Sequence, residues 1–405
     1  MPIPALLQKR RLWFKIHSVL GLSLGALWAL VGLTGMISVY GDGVDAALNP
    51  ALHGLPKGSP LPLEQHYRTL MQRYPGHAGA WTLVLPEIPG DALIAVAEKP
   101  KLSKDASYRP LTIGLDPSSS AILTEREKGW TFRTFVVKLH ANLLAGGFGN
   151  TLVGSSGIAL LFSITVALGM WIRQKRSMAV RFRIEWRKGM LLFLSDFHRL
   201  TGIMMAPVLI IIALTGIAMV FPAIPEFFLG TQGSAHGVKG KTLESTGSGD
   251  PGARIRLDEA LLIARGPFPH ATVWGITTPE GAGGSFKIHL RQRDEARARH
   301  PQTAVWIDAY SGQILDVVNP SRFGFGQRLD VLIWPLHTGE WVGGNARILW
   351  FLAGLSLPVF FLTGLIRWGI RTHRIADAPA TRETLPSALR QLYSSLLAGR
   401  DGRLR

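Results

Sequence analysis

The sequence predicts an α-helical membrane protein, a four-span bundle in two parallel repeats, each with a small inserted α+β domain. Four stretches without charged residues are long enough to cross a bilayer as helices, and they lie near residues 17–40, 141–172, 200–225 and 348–366. The first and third stretches share one pattern, because His17 and Thr34-Gly35 recur as His198 and Thr215-Gly216 at a constant offset of 181 residues. An internal repeat of this kind indicates two copies of one span–domain–span unit.

Composition excludes several classes of function. The chain has 405 residues, a formal net charge of +17 and no cysteine. Its basic excess lies beside the spans, at 173–188 and 367–374, which is typical of topology signalling and contact with lipid, so nucleic acid is not a predicted partner. The lack of cysteine excludes disulfides, thiol catalysis, iron–sulfur clusters and cysteine-based zinc sites. Neither a dinucleotide-binding glycine fingerprint nor a P-loop occurs, so a partner or a membrane quinol must donate any electrons.

Basic residues at the start of the chain predict its topology. Lys9, Arg10, Arg11 and Lys15 precede the first span, which puts both termini in the cytoplasm and both inserted domains outside. In a bacterial cell this means a multi-pass protein of the inner (cytoplasmic) membrane with periplasmic domains. The predicted parts are 1–41 (cytoplasmic tail and first span), 42–129 (first periplasmic domain), 130–173 (periplasmic histidine segment and second span), 174–193 (basic cytoplasmic loop), 194–221 (third span), 222–327 (second periplasmic domain), 328–370 (periplasmic histidine segment and fourth span) and 371–405 (cytoplasmic tail).

Each inserted domain is predicted to be one helix followed by antiparallel strands. Residues 63–74 and 257–265 have amphipathic patterns typical of helices, and strand-like runs follow each of them. Asp116 and Asp308 each open a predicted strand–turn–strand, because aspartate side chains favour such turns. The Gly/Ser-rich segment 230–252 is predicted to be a flexible loop.

Four histidines accompany the four spans, and their depth predicts how they pair. His17 and His198 begin outward-running helices near the cytoplasmic face, whereas His140 and His337 precede inward-running helices near the outer face. A helix over residues 151–172 would separate the two faces by roughly 33 Å. Pairs within one repeat are therefore excluded, and the pairs His17–His198 and His140–His337 are predicted.

Two imidazoles on facing helices suit a transition metal. A bare zinc site needs further ligands, whereas haem needs two axial ligands and fits an apolar helix bundle. Glycines near the histidines would let a flat macrocycle approach the backbone, namely Gly21, Gly25, Gly32, Gly35, Gly202 and Gly216. The hypothesis is two bis-histidine haems, and the absence of Cys-x-x-Cys-His makes them b-type rather than c-type. The alternative for each histidine alone is a polar anchor at the membrane interface.

The remaining candidates receive simpler interpretations. The outward-facing histidines are predicted to lie on the surface, with one or two of them in reach of a substrate: His53, His66, His77, His236, His270, His289 and His300. His373 is predicted to lie at the membrane interface. Trp28 and Trp350 are interpreted as packing or lipid-facing residues rather than electron stepping stones, and the Thr-Gly pairs as small-residue packing sites. The candidate partners for haem propionates are Arg11, Lys15, Arg199, Lys138 and Arg347.

The order and spacing of these motifs resemble the PepSY-associated transmembrane helix family, which includes bacterial iron-regulated membrane proteins. The resemblance covers roughly residues 9–372. It rests on KIHSVLGL and LTG in the first span, KLHANLLAGGFGN and LGMWIR, DFHRLTGI and LTG, PLHTGEWVGGN and TGLIRW, and the similar endings at 116–123 and 308–315. Some similar members are inner-membrane ferric-siderophore reductases with two haems. The resemblance thus implies PepSY-like periplasmic domains and implies His17, His140, His198 and His337 as axial ligands of haem iron.

These observations together predict a haem-dependent oxidoreductase with two haem b groups. His17 and His198 would hold the cytoplasmic-side haem, and His140 and His337 the periplasmic-side haem. Single electrons would pass from a quinol or a cytoplasmic reductase to a periplasmic ferric siderophore or another Fe(III) chelate, releasing Fe(II). Two alternatives remain open. One is a non-enzymatic PepSY-domain membrane protein that regulates a protease or senses a ligand, and the other is a siderophore permease, which inverted repeats and charges within the spans would favour.

Overall fold

A computed structural model describes residues 10–56, 58–75, 77, 79–97, 111–127, 131–173, 182–185, 189–231, 243–246, 253–297 and 300–372. The chain divides into two compact units. The helical unit comprises residues 1–33, 158–210 and 352–405, and the sheet unit comprises residues 34–157 and 211–351. His236, His373, most of the predicted loop 174–193 and nearly all of the predicted tail 371–405 lie outside the described residues.

The described elements are eleven α-helices of different lengths and two runs of four short strands. The helices are α1 (Arg10–Ser23), α2 (Gly25–Val39), α3 (Gly41–Leu48), α4 (Leu63–Arg73), α5 (Phe132–Asn142), α6 (Gly146–Ile172), α7 (Met190–Val220), α8 (Ala223–Leu229), α9 (Leu257–Arg265), α10 (Phe325–Thr338) and α11 (Ile348–Arg371). The strands are β1 (Trp81–Val84), β2 (Leu93–Ala97), β3 (Leu111–Leu115), β4 (Ile122–Glu127), β5 (Thr272–Thr277), β6 (Phe286–Arg291), β7 (Thr303–Ile307) and β8 (Ile314–Val318).

Three of the described helices, α6, α7 and α11, are each long and apolar enough to cross a bilayer. The pair α1 and α2 meets the same criterion only when the two are taken together, which gives three or four candidate spans. The sequence pattern indicated one continuous helix over 17–40, but the two helices meet at an angle of 61° at Leu24. Ser23 contributes to this bend, because its hydroxyl donates to the Val19 carbonyl at 2.8 Å. Such back-bonding often bends a helix.

All eight strands form one antiparallel sheet in the order β4-β3-β2-β1-β5-β6-β7-β8. Two four-stranded meanders, one from each predicted periplasmic domain, therefore join at their first strands. The junction pairs Leu83 with Ile276, and Thr82 Oγ1 lies 2.9 Å from Thr277 Oγ1. Gly275 permits this approach, because a Cβ there would lie 2.6 Å from the Leu83 carbonyl oxygen. The two predicted domains thus share one continuous sheet.

Helices α4 and α9 cover one face of the sheet and share one apolar core with it. Alternating strand residues such as Leu83, Ile276 and Ile288 are fully buried beneath Leu70 and Ala260.

The two helices also cap each other. Asp258 of α9 accepts hydrogen bonds from the backbone N–H groups of Leu63 and Glu64 at 2.9 and 3.2 Å, and Glu64 accepts one from Leu257 N–H at 3.2 Å. Carboxylates at helix N-termini are stabilising, so the caps bind the two halves of the sheet unit together.

The two predicted aspartate turns are confirmed. Asp116 accepts hydrogen bonds from the backbone of Ser118 and Ser119, and Asp308 accepts them from Tyr310 and Ser311. Part of the segment predicted as a flexible loop packs against the second turn, since the backbone and hydroxyl of Thr246 both donate to Asp308 at 2.8 and 3.0 Å.

Candidate functional site

His17 and His198 lie next to each other in the helical unit. His17 comes from α1 and His198 from α7, and their ring centroids are 6.2 Å apart with an interplanar angle of 82°. Each histidine lies about two turns inside its helix rather than at the end, because both helices begin earlier than the sequence indicated. The structure therefore brings together the first pair that the repeat predicted.

Hydrogen bonds orient both rings of this inner pair through Nδ1. His17 Nδ1 lies 3.3 Å from the Ser163 carbonyl oxygen and 2.9 Å from the Ser163 hydroxyl. His198 Nδ1 lies 2.8 Å from the Thr363 hydroxyl, which itself donates to the Val359 carbonyl at 2.8 Å. A carbonyl can only accept, and a hydroxyl that has donated its proton also accepts, so Nδ1 carries the hydrogen in both rings. This tautomer puts the metal-binding lone pair on Nε2.

His140 and His337 form an outer pair within the sheet unit. Their ring centroids are 6.1 Å apart, with an interplanar angle of 52°. Both lie on separate short helices, α5 and α10, that precede the long helices α6 and α11. A glycine faces each ring, since a Cβ at Gly35 would lie 2.9 Å from His140 Cε1 and one at Gly216 would lie 3.1 Å from His337 Cε1. These glycines therefore leave room for the imidazoles.

The outer pair is oriented in the same way as the inner pair. Thr34 Oγ1 lies 3.4 Å from His140 Nδ1, and Thr215 Oγ1 lies 3.2 Å from His337 Nδ1. The Ile212 carbonyl oxygen also lies 3.1 Å from His337 Nδ1, which assigns the hydrogen of that ring to Nδ1. The Thr-Gly pairs therefore have a more specific role than packing, because the threonine contacts the nitrogen of a histidine and the glycine makes space for its ring.

The dimensions of both pairs fit a metal between two trans imidazoles. Two metal–nitrogen bonds of about 2.0 Å, with about 1.2 Å from each nitrogen to its ring centre, place the centroids about 6.4 Å apart. The observed separations are 6.2 and 6.1 Å. Within the described residues no three His, Asp or Glu side chains converge as they would around a bare metal ion. Each pair would therefore offer two imidazoles, which is the number of protein ligands that a haem iron takes.

Two glycines next to the inner pair border open space. Gly21 and Gly202 each follow a histidine by four residues, so each lies on the same helix face as His17 or His198. A Cβ built on either glycine would meet no atom within 4 Å. Gly25 and Gly32 differ from them, because their Cβ atoms would collide with Phe361 and with Leu357. They serve close packing of α2 against α11 instead.

Charged side chains accompany both pairs. Beside the inner pair, the buried Asp196 forms an ion pair with Arg199 at 3.0 Å, and Arg367 lies within electrostatic reach of both histidines. In the sheet unit Arg347 donates to the Val39 carbonyl and lies over the Tyr40 ring. The other three predicted propionate partners, Arg11, Lys15 and Lys138, are exposed.

An imidazole–indole ladder connects the sheet to the helix of the outer pair. The ring centroids of His289 and Trp274 are 5.7 Å apart, those of Trp274 and His300 5.9 Å, and those of His300 and Trp334 6.1 Å. Trp334 lies one helical turn before His337 on α10. Burial lowers the pKa of His289 to about 3, with further contributions from the nearby Lys287 and His300, so this ring is neutral.

The prediction that His66 lies on the surface is wrong. It is 1% exposed and its Nδ1 lies 2.8 Å from the Ser120 hydroxyl. Ser120 has a φ of +62°, and the corresponding turn position of the second half is Gly312, with a φ of +71°. The hydrogen bonds of Ser120 with His66 and Thr69 thus support a backbone conformation that favours glycine. Burial lowers the pKa of His66, opposed by a hydrogen bond to the Pro117 carbonyl.

The two tryptophans singled out from the sequence are buried packing residues. Trp28 is 7% and Trp350 is 5% exposed. Trp350 donates from its indole to the Leu336 carbonyl at 2.8 Å, directly before His337 in the chain. Sequence analysis missed Ser163 altogether, since nothing in the pattern of α6 distinguishes it from other small residues, whereas the repeated Thr-Gly pairs carried a usable signal.

The family model described as "PepSY-associated TM region" matches residues 14–371, which is most of the chain. The chain belongs to this family. It is therefore a membrane-associated protein, as its apolar helices also indicate. A relative in Pseudomonas aeruginosa (strain PAO1), "Uncharacterized protein PA4219", is 26% identical over 273 residues, which cover 63% of this chain and 67% of that protein.

Proposed function

We propose that this family member is a di-haem b-type cytochrome of the bacterial inner membrane that reduces a periplasmic ferric siderophore. Its four spans would form two parallel repeats with both termini in the cytoplasm. The observation that carries the proposal is the presence of two histidine pairs, each with ring centroids about 6 Å apart and each oriented through Nδ1. A structural or interfacial histidine has no need for a second imidazole at ligation distance.

The chain's own residues would hold and tune the cofactors. Haem b, when bound, supplies one-electron exchange between Fe(III) and Fe(II). His17 and His198 would bind the inner haem, and His140 and His337 the outer one. Ser163, Thr363, Thr34 and Thr215 would fix each imidazole with Nε2 toward the iron. No general acid or base is needed, because one electron moves and no covalent bond of the chelate breaks.

The ladder in the sheet unit gives the electron a route out. Trp334, His300 and Trp274 extend from the helix of His337 to the face of the sheet, and His300 is exposed. A ferric chelate at this end would gain one electron while the protein loses one. Ferric iron is a hard ion that holds oxygen ligands tightly, whereas ferrous iron holds them far more weakly. The metal would therefore leave its chelator as Fe(II).

Anaerobic stopped-flow spectroscopy tests the proposal. Protein reduced with dithionite, freed of excess reductant, is mixed with ferric complexes of a hydroxamate, a catecholate or citrate in the presence of a ferrous chelator. We expect haem re-oxidation and Fe(II) release in equal amounts with at least one complex. His140→Ala should abolish this, and Thr165→Val, a change at an exposed residue of α6, should not. Reduced haem that persists with every complex would contradict the proposed reaction.

A further inference from the structure

Among the described residues beside the inner pair, two partly buried guanidiniums, those of Arg199 and Arg367, lie near one buried carboxylate, that of Asp196. Arg199 is paired with Asp196 at 3.0 Å, and Arg199 also donates to the Arg183 carbonyl at 3.2 Å. Arg367 is the second guanidinium near this carboxylate, and it lies on α11 one turn beyond Thr363, the partner of His198. Two guanidiniums thus share a single carboxylate. Partial burial of a cation that shares its carboxylate with a second cation is unfavourable, so this surplus points to an anion beside the histidines.

Two buried N–H groups on α1 and α11, the helices that carry His17 and Thr363, also lack hydrogen-bond acceptors within the described part of the chain. Among the described residues, neither Arg367 Nε nor the indole nitrogen of Trp13 has a hydrogen-bond partner, and both atoms are sealed from solvent. Trp13, His17 and Gly21 recur at intervals of four residues, so they form one stripe along α1. The unpaired indole therefore lies about one turn from His17 on the side toward the N-terminus, whereas the open space at Gly21 lies about one turn from His17 on the other side.

We propose that Arg367 and Trp13 form the propionate-binding end of the inner haem site. The inference rests on the proposed function, because it assumes that His17 and His198 hold a haem. A carboxylate is the ligand that both groups lack: it accepts from an indole N–H and pairs with a guanidinium. Trp13 precedes His17 in α1, and Arg367 follows Thr363 in the oppositely running α11. Both therefore lie on the cytoplasmic side of the histidines in the predicted topology, and they would hold the carboxylates of a bound haem on that side.

Nearby cations do not fit this role as well. Arg11 and Lys15 are exposed on α1, where water already solvates them. Arg371 is exposed and lies over the Phe14 ring at 5.1 Å, one turn beyond Arg367. Arg371 is thus a matched control: it has the same residue type and the same helix, but it is exposed and contacts an aromatic ring.

The test uses Arg367→Gln, Arg367→Lys, Trp13→Phe and the control Arg371→Gln, each in a His140→Ala background that retains only the inner haem. Pairing with a cation neutralises a propionate, and the loss of the cation favours Fe(III) over Fe(II). We expect Arg367→Gln to lower the midpoint potential of the inner haem. Each tenfold shift of the equilibrium toward Fe(III) corresponds to a fall of about 59 mV. Arg367→Gln should also speed haem transfer to apomyoglobin about tenfold or more. Trp13→Phe should act in the same direction but less, and Arg367→Lys should restore the potential.

The outcomes separate this inference from the proposed function. If the purified wild-type protein contains no haem, both the propionate site and the proposed cytochrome function are overturned. If haem is present and Arg367→Gln matches Arg371→Gln in potential and haem transfer, the propionate site is wrong and the cytochrome stands. If Arg367→Gln instead changes only the binding of phosphatidylglycerol vesicles, a lipid phosphate is the anion and the inference is overturned. Where His140→Ala fails to fold, redox titration of the two-haem protein resolves the inner wave directly.

Discussion

Replacing Thr363 by valine removes one hydrogen bond from the inner site at constant side-chain shape. The Thr363 hydroxyl donates to Val359 and accepts from His198 Nδ1–H at 2.8 Å, so valine leaves the imidazole without its orienting partner. Loss of such a partner of a metal-binding histidine lowers metal affinity by roughly 10- to 100-fold, or about 1.4 to 2.7 kcal/mol. We expect Thr363→Val to weaken inner haem binding by this amount.

The assay is haem transfer from the purified protein to excess apomyoglobin, followed by absorbance in the His140→Ala background. Thr165→Val is the control, because Thr165 on α6 makes the same hydroxyl-to-carbonyl bond at 2.9 Å but is exposed and contacts no histidine. Thr34→Val, tested in a His17→Ala background that retains only the outer haem, should weaken haem binding less, since Thr34 Oγ1 lies 3.4 Å from His140 Nδ1. Equal retention of haem by Thr363→Val and Thr165→Val would refute the assignment of the His198 tautomer.

Three further outcomes are expected. Gly21→Val should displace the inner haem while the protein keeps its thermal stability, because the added side chain enters open space. Gly25→Val should instead destabilise the fold, because its side chain would collide with Phe361. Haem content and thermal unfolding of both variants distinguish the two effects. Asp258→Asn should lower the stability of the sheet unit by about 1 to 3 kcal/mol, as it weakens two caps on α4, and denaturant unfolding measures this. His289 is held neutral with a pKa of about 3, below its unfolded value, so its contribution to stability is present above pH 6.5 and is lost as the pH falls. Lowering the pH from 6 to 5 should therefore lower the free energy of unfolding by up to about 1.4 kcal/mol for this group. His289→Gln should make the free energy of unfolding less dependent on pH in this range.

The histidine pairs were predictable because the signal is local and repeated. A histidine and a Thr-Gly pair at one offset indicate two copies of a helix, and charge placement predicts the depth of each histidine. Pairing across copies then follows from helix length alone. The hydroxyl partners were not predictable in this way, because Ser163 and Thr363 lie in other helices and their register against His17 and His198 depends on tertiary packing.

The sheet unit contains both features that local sequence patterns predict and contacts that they do not. The pattern indicated the helix at 257–265 and both aspartate turns, since these depend on neighbouring residues. The joining of β1 to β5 depends on residues almost 200 positions apart, and only the small size of Gly275 hints at it. His66 was misassigned for a related reason, because its partner Ser120 comes from a distant turn. The bend at Leu24 was likewise not predicted, because a single serine at position 23 hardly changes the apolar pattern of the run.

The most direct test of the central claim is an absorption spectrum of the purified protein, oxidised and after dithionite, with haem counted per chain. The account predicts a sharp reduced α-band and about two haems per chain, in line with two pairs of axial ligands. His17→Ala and His140→Ala should each lose about one haem, and His17→Ala combined with His198→Ala should lose no more than His17→Ala alone. Protein from haem-replete cells that shows no haem absorption would contradict the account.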